Sequence, residues 1–194
     1  MAWRILMALA TTTALAAAAQ VPVPKLVEGR CATCHGKQGE SSSEEFPRLA
    51  AQNEAYLAKE LREFKAKKRE SIMERFARDL SEEDIVAIAR YYAAQPAGVH
   101  PPTDPELGAV GRFIYLRGNP YSGVPACKTC HGEDAKGSAQ MPRLAGQHAA
   151  YLERQIKEFS QRKRTNDNEV MHMVAGRLAP LEARAVAQYL AGLP

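Results

Sequence analysis

The chain of 194 residues reads as an all-α protein built from two similar helical halves. Three observations predict this. Apolar residues recur at three- and four-residue intervals, and no stretch alternates as a half-buried strand would. Two long segments occur twice. "FPRLAAQNEAYLAKELREF" (Phe46 to Phe64) stands against "MPRLAGQHAAYLERQIKEF" (Met141 to Phe159), and "MERFARDLSEEDIVAIARYY" (Met73 to Tyr92) against "MHMVAGRLAPLEARAVAQYL" (Met171 to Leu190). All 4 cysteines fall in two matched motifs, "CATCH" (Cys31 to His35) and "CKTCH" (Cys127 to His131). With 25% charged and 45% hydrophobic residues, the chain as a whole is neither disordered nor a membrane protein.

The first 19 residues differ from the rest. Arg4 precedes an uncharged run from Ile5 to Ala19 that ends in Ala17, Ala18 and Ala19, small residues suited to a cleavage site. The run is shorter than the ~20 apolar residues a membrane span requires, so residues 1–19 read as a secretory signal peptide rather than an anchor. Residues 20–95 form the first domain, 96–107 a linker, and 108–194 the second domain. The linker carries four prolines, which fix φ and remove donors.

Within the first domain a short helix of about one turn is expected over Lys25 to Arg30. A second places Leu57, Leu61 and Phe64 on one face, and a last one does the same for Ile85, Ile88, Ala89 and Tyr92. Ser81 and Asp84 give that last helix a capping box. In the second domain a helix over Glu106 to Leu116 precedes the cysteine motif. Leu152, Ile156 and Phe159 line the next face, and Ala183, Val186, Ala187 and Leu190 the last. Pro180 takes the first helical position of the last helix, where proline is tolerated.

Each cysteine pair encloses two residues and is followed at once by histidine. Two such pairs could build a four-cysteine zinc site. A redox dithiol normally accompanies a βαβ pattern, which is missing here. C-x-x-C-H is also the attachment signature of a c-type haem, in which both thiols add to vinyl groups and the histidine ligates iron. Zinc leaves His35 and His131 unused, whereas haem uses all six residues. Two covalently bound haem c groups are therefore expected, on Cys31 and Cys34 with His35, and on Cys127 and Cys130 with His131. Haem also fills out halves that carry few apolar side chains for their size.

A second axial ligand completes a low-spin electron-transfer haem. In the first domain Met73 is the only methionine. In the second, the candidates are Met141, His148, Met171, His172 and Met173. The repeat pairs Met171 with Met73, Met173 with Arg75, Met141 with Phe46, His148 with Asn53 and His172 with Glu74. Met171 is thus the expected ligand, Met173 a packing residue, Met141 core, and His148 and His172 surface residues. The position of His172 keeps bis-histidine ligation as an alternative. The carbonyls of Pro47 and Pro142 could each accept from the proximal Nδ1–H and orient the ring. Leu49 and Leu144 would pack on porphyrin. Tyr56, Tyr151, Arg48, Arg143, Gln52 and Gln147 are candidates for propionate hydrogen bonds, with core packing for the tyrosines and solvent for the arginines as the alternatives.

The chain resembles the cytochrome c4 family, dihaem class I cytochromes of the bacterial periplasm. The pattern "CxxCHG…FPRLAxQ…Y…F" followed by "M…A…L" occurs twice over residues 25–194, with Met141 in place of the phenylalanine in the second copy. "RTND" (Arg164 to Asp167) before the second methionine is also similar to the family. The resemblance implies two tandem class I cytochrome c folds related by a pseudo-twofold, with haem propionates facing each other across the interface. It also implies periplasmic electron transfer from the respiratory chain toward a terminal oxidase. Quinol-cytochrome c reductase, the oxidase or a dehydrogenase would then be the partners, a setting compatible with peripheral membrane association.

The chain is accordingly read as an electron carrier and not an enzyme. The alternatives are the cytochrome subunit of a periplasmic dehydrogenase and a dihaem peroxidase; two methionines at repeated positions argue against the latter, which needs an open iron site. The formal charge of +4 and clusters such as "KAKKR" (Lys65 to Arg69) and "RKR" (Arg162 to Arg164) could suggest nucleic acid. Export argues against it, and solvated helix ends explain the clusters. The loop before Met73 is shorter than that before Met171, and the helix before Cys31 is shorter than that before Cys127. These differences predict unequal haems, with the lower potential at the first.

Overall fold

The structure, a computed structural model, describes residues 24–101 and 104–194. The expected signal peptide lies outside the described residues. Among the described residues the fold is helical, with one isolated antiparallel bridge between Asn119 and Val124. No helix among them is long and apolar enough to cross a membrane.

A π-helical turn, Val27–Cys31, runs directly into α1, Ala32–His35. The turn expected ahead of Cys31 is therefore present but continues unbroken through the motif. It is followed by α2 (Glu54–Lys65), α3 (Met73–Ala77) and α4 (Glu82–Ala93). Leu57 and Phe64 of α2 and Ile85, Ile88, Ala89 and Tyr92 of α4 are buried in one core, and the two helices pack together. Ser81 Oγ accepts from Asp84 N at 3.1 Å while the Asp84 carboxylate accepts from Ser81 N at 3.0 Å, closing the capping box.

The second half follows with α5 (Pro105–Arg117), α6 (Lys128–His131), α7 (Ala149–Ser160), α8 (Val170–Ala175) and α9 (Pro180–Ala191). Helix α5 starts one residue before the expected boundary. Pro105 presets the first helical φ, and the Asp104 carboxylate accepts from Leu107 N at 2.9 Å. Leu152 of α7 and Val186, Ala187 and Leu190 of α9 fall in the core, as their spacing predicts. The α9 terminus lacks a capping hydroxyl; the Glu182 carboxylate accepts from Ala179 N at 2.8 Å instead.

Helices α5 and α9 pack at very close range. A Cβ on Gly111 would lie 1.9 Å from the Ala185 carbonyl oxygen, so only glycine permits the crossing. The first half has no counterpart of α5 at this length, because its leading helix is the short run that becomes α1.

Candidate haem sites and the junction between the halves

In the first half, α1 and the turn before it, α2, α3 and α4 enclose a cleft of about 390 Å³. Its lining includes Cys31, Cys34, His35 and Met73, with Leu61, Leu80 and Ile88 as apolar wall. His35 is buried, and its Nδ1 sits 2.9 Å from the Pro47 carbonyl oxygen. A carbonyl can only accept, so Nδ1 carries the proton and Nε2 is left to coordinate. Burial lowers the His35 pKa against the opposing effect of that carbonyl, which keeps the ring neutral, as a metal ligand must be. Burial also pushes the Cys31 thiol up to about 11. Leu49 is half-buried against the same core.

In the second half His131 is buried at the end of α6. Burial lowers its pKa, and the Pro142 carbonyl acts in the opposite sense. Its Nδ1 nevertheless lies short of a proper hydrogen bond and is a buried ring nitrogen with no partner. Cys127 is half-buried against the core with Leu144, and burial pushes its thiol up to about 11; Cys130 is exposed. Met171 is half-buried on α8, whereas Met173 is 56% exposed. Met141 is 36% exposed and does not enter the core expected for it. Among the described residues no three of His, Cys, Asp and Glu gather to hold a metal ion.

Two tyrosines hold the glycine after each motif: Tyr92, read from the sequence only as a helix-face residue, and Tyr115, which the sequence did not single out. Tyr92 of α4 donates its hydroxyl to the Gly36 carbonyl at 3.3 Å. At the repeat-related carbonyl of Gly132 the donor is Tyr115, from α5, at 2.5 Å. The same task is done from different helices, so aligning the repeats gives no signal for it.

Thiols paired on one turn, a neutral imidazole, a thioether and an apolar cleft are the donor set and cavity that a covalently attached haem requires. Residues 121–194 match the family model for cytochrome c, and residues 22–91 the model described as cytochrome c oxidase, cbb3-type, subunit III. A cytochrome c4 from Thiocapsa roseopersicina is 40% identical over 92% of this chain and 96% of its own length. The chain belongs to the cytochrome c4 family. The reduced recombinant cytochrome c4 from Pseudomonas stutzeri superposes with a TM-score of 0.81 at 34% identity, covering 86% of this chain and 94% of that one. A thiosulfate dehydrogenase electron acceptor from Thiomonas intermedia is 39% identical over 84% of this chain and 78% of its own length. Two covalently bound haem c groups are thus the cofactors of this family member, and electron transport is its task.

The halves of the cytochrome meet through paired, repeat-related contacts. Gln52 donates to the Arg143 carbonyl at 2.8 Å and accepts from Arg143 N at 2.7 Å. Gln147 donates to the Arg48 carbonyl and accepts from Arg48 N, both at 2.9 Å. Both side-chain amides considered for propionate bonding are therefore occupied in pinning one half to the other. His148 is buried here rather than on the surface, with Nε2 2.9 Å from the Ser41 carbonyl; its repeat mate Asn53 donates to the Met141 carbonyl at 2.7 Å. His172, also expected on the surface, is half-buried with Nδ1 2.9 Å from the Phe159 carbonyl.

A charged cluster lies at the same junction. Arg69 and Arg164, expected among solvated helix ends, are both buried. Arg69 bonds the Glu60 carboxylate, the Tyr151 hydroxyl at 3.2 Å and Gln155 at 2.7 Å. Arg164 bonds Gln155 at 2.7 Å, the Tyr56 hydroxyl at 2.9 Å and Glu60 at 3.2 Å. Glu60 and Gln155 are themselves repeat mates, so the cluster holds two guanidiniums and one carboxylate at matched positions. Burial opposes charge on Glu60, yet Arg164, Arg69 and Lys59 hold its carboxyl below the usual range. The signal was present in the repeat: Arg69 and Arg164 each follow the last phenylalanine of the preceding helix by the same interval.

Proposed function

We propose that the protein is a periplasmic dihaem electron carrier, taking electrons from a respiratory donor such as quinol-cytochrome c reductase and passing them toward a terminal oxidase. The observation that carries this is the pairing, within one apolar cleft, of a His35 ring tied through Nδ1 and the Met73 thioether. His35 with Met73, and His131 with Met171, are the proposed axial pairs; Cys31, Cys34, Cys127 and Cys130 are the attachment points. Bound haem supplies a reversible one-electron couple at iron. The chain's own residues tether it, keep the proximal ring neutral and oriented, and limit water with Leu61, Leu80 and Ile88. None of these side chains needs to make or break a bond in a substrate, which fits a carrier better than an enzyme. The proposed domains are residues 20–95 and 108–194, joined by 96–107, with export directed by residues 1–19.

A second reading has a specific observation behind it: one relative is named a thiosulfate dehydrogenase electron acceptor. In that reading a periplasmic dehydrogenase is the donor, and co-purification with a dehydrogenase distinguishes it. The primary test is a spectroelectrochemical titration of the purified protein. Two haems per chain with methionine-ligated spectra are expected, and the lower midpoint is expected at the first haem. The shorter helix before Cys31 and the shorter loop before Met73 cover the first haem less, and exposure favours the more charged ferric form. A single haem, or an open coordination site, would overturn the assignment.

A further inference from the structure

On the linker side of the junction lies a second cleft, about 760 Å³ and open to solvent, that shares no lining residue with the haem cleft of the first half. Arg48 from one half and Arg143 from the other reach it, together with Gln38, Glu40 and His100. Arg143 is only 9% exposed, and among the described residues its guanidinium has no hydrogen bond and no ion pair. Arg143 is one of the residues that line the cleft. Arg48 donates only to neutral carbonyls, those of Gly146 at 2.7 Å and Glu40 at 3.3 Å.

The carboxylates nearby leave the two cations uncompensated. Glu40 folds back over Gly36 and accepts from Gln38 N at 2.9 Å. Glu44 and Asp134 act on Arg48 and Arg143 respectively, but less strongly than burial does, so both guanidiniums are held below their ordinary pKa. His100 and His148 add two further groups near Arg48 that become cationic on protonation. A guanidinium that is buried, unpaired and open to one cleft is costly to maintain unless something anionic meets it. Guanidiniums from both halves line this one cleft, and their planar donor forks match the oxygens of an oxoanion.

We propose that this interdomain cleft is a binding site for a small inorganic oxoanion of the phosphate or sulfate type, held between Arg48 and Arg143. The site belongs to neither half alone, so its occupant ties the two together on the linker side as the Glu60 cluster does on its own. The same chemistry could be supplied by a haem propionate, and the test separates the two sources.

The test is calorimetric titration of the holoprotein with inorganic phosphate at low ionic strength, where screening is least. One saturable site per chain is expected. Arg143→Gln is expected to weaken binding at least 10-fold, and Arg143→Lys, which keeps the charge but loses the fork, to fall between it and the native protein. Arg112→Gln, which removes a cation from the exposed face of α5, is expected to leave binding unchanged. Folding of each variant is checked by its haem spectrum. If Arg112→Gln weakens binding as much as Arg143→Gln, the attraction is diffuse charge and the proposal fails. If the native protein binds no phosphate, it fails as well; a shift of the haem midpoints in Arg143→Gln alone would then identify the occupant as a propionate.

Discussion

Replacing Glu60 by glutamine removes the one carboxylate that, among the described residues, bonds both Arg69 and Arg164. Glutamine has nearly the same shape, and Gln155 occupies the matching position in the second half, so the loss is one of charge rather than packing. Breaking a buried ion pair by removing one partner costs about 3–5 kcal/mol. The amide retains hydrogen bonds worth about 1 kcal/mol each, which places the expected loss near 2–4 kcal/mol. At about 2–4 °C per kcal/mol for a chain of this size, the thermal midpoint of the holoprotein should fall by roughly 5–15 °C. The pH dependence follows from the depressed carboxyl of folded Glu60. Its stabilisation is fully present above the unfolded pKa of about 4.3 and is lost as pH falls through the lower folded value. The gap between native and Glu60→Gln proteins should therefore close in acid. Circular dichroism melts from neutral to acid pH measure this, and a cycle with Arg69→Gln isolates the pair. A neutral-pH change below about 0.5 kcal/mol, the range of ordinary surface substitutions, would refute the reasoning.

Two further outcomes follow from the repeat. Met171→Ala should abolish one methionine–iron charge-transfer band and lower one haem potential, while the exposed Met173→Ala should change neither; absorption spectra and potentiometry decide. Ala51 holds φ at +55° where its repeat mate Gly146 holds +71°, so Ala51→Gly should relieve left-handed strain. The strain of about 1–2 kcal/mol exceeds the added chain entropy of about 0.5–1 kcal/mol, so a gain of about 0.5–1 kcal/mol is expected in the melting curve.

The helices were legible because each carries a strong local signal: the Leu57–Leu61–Phe64 stripe, the Ser81–Asp84 box, Pro180 at a helix start. The haem attachment was legible because six residues of fixed spacing serve one chemistry. The Pro47 contact followed from the similar interval between each proline and its motif, 12 residues after His35 and 11 after His131. What escaped was set by tertiary placement. Arg69 and Arg164 sit in runs of lysine and arginine, and composition alone sends them to solvent; the opposing half supplies the Tyr151 hydroxyl to Arg69, and the Tyr56 hydroxyl and Glu60 carboxylate to Arg164, that admit them to the interior. His148 was misplaced for the same reason, since its partner carbonyl at Ser41 lies 107 positions earlier in the chain.

The junction also locates the asymmetry between the halves. The longer loop before Met171 contains Asn166, whose amide bonds Glu60 at 3.0 Å, and Asp167, whose carboxylate accepts from His172 N at 2.9 Å. The residues that distinguish the second half therefore act partly on the first, through Glu60, and partly on the turn that carries Met171. A buried ionic cluster adds little stability over an apolar one of the same volume, so its retention calls for a reason other than strength. Hydrophobic surfaces slide, whereas two guanidiniums that must each meet a hydroxyl and share one carboxylate fix a single orientation. Electron transfer between two tethered cofactors depends on their separation and angle. A junction that fixes orientation at polar contacts, with Gln52 and Gln147 pinning the backbones, keeps that geometry constant while the net charge of the cytochrome changes at each turnover.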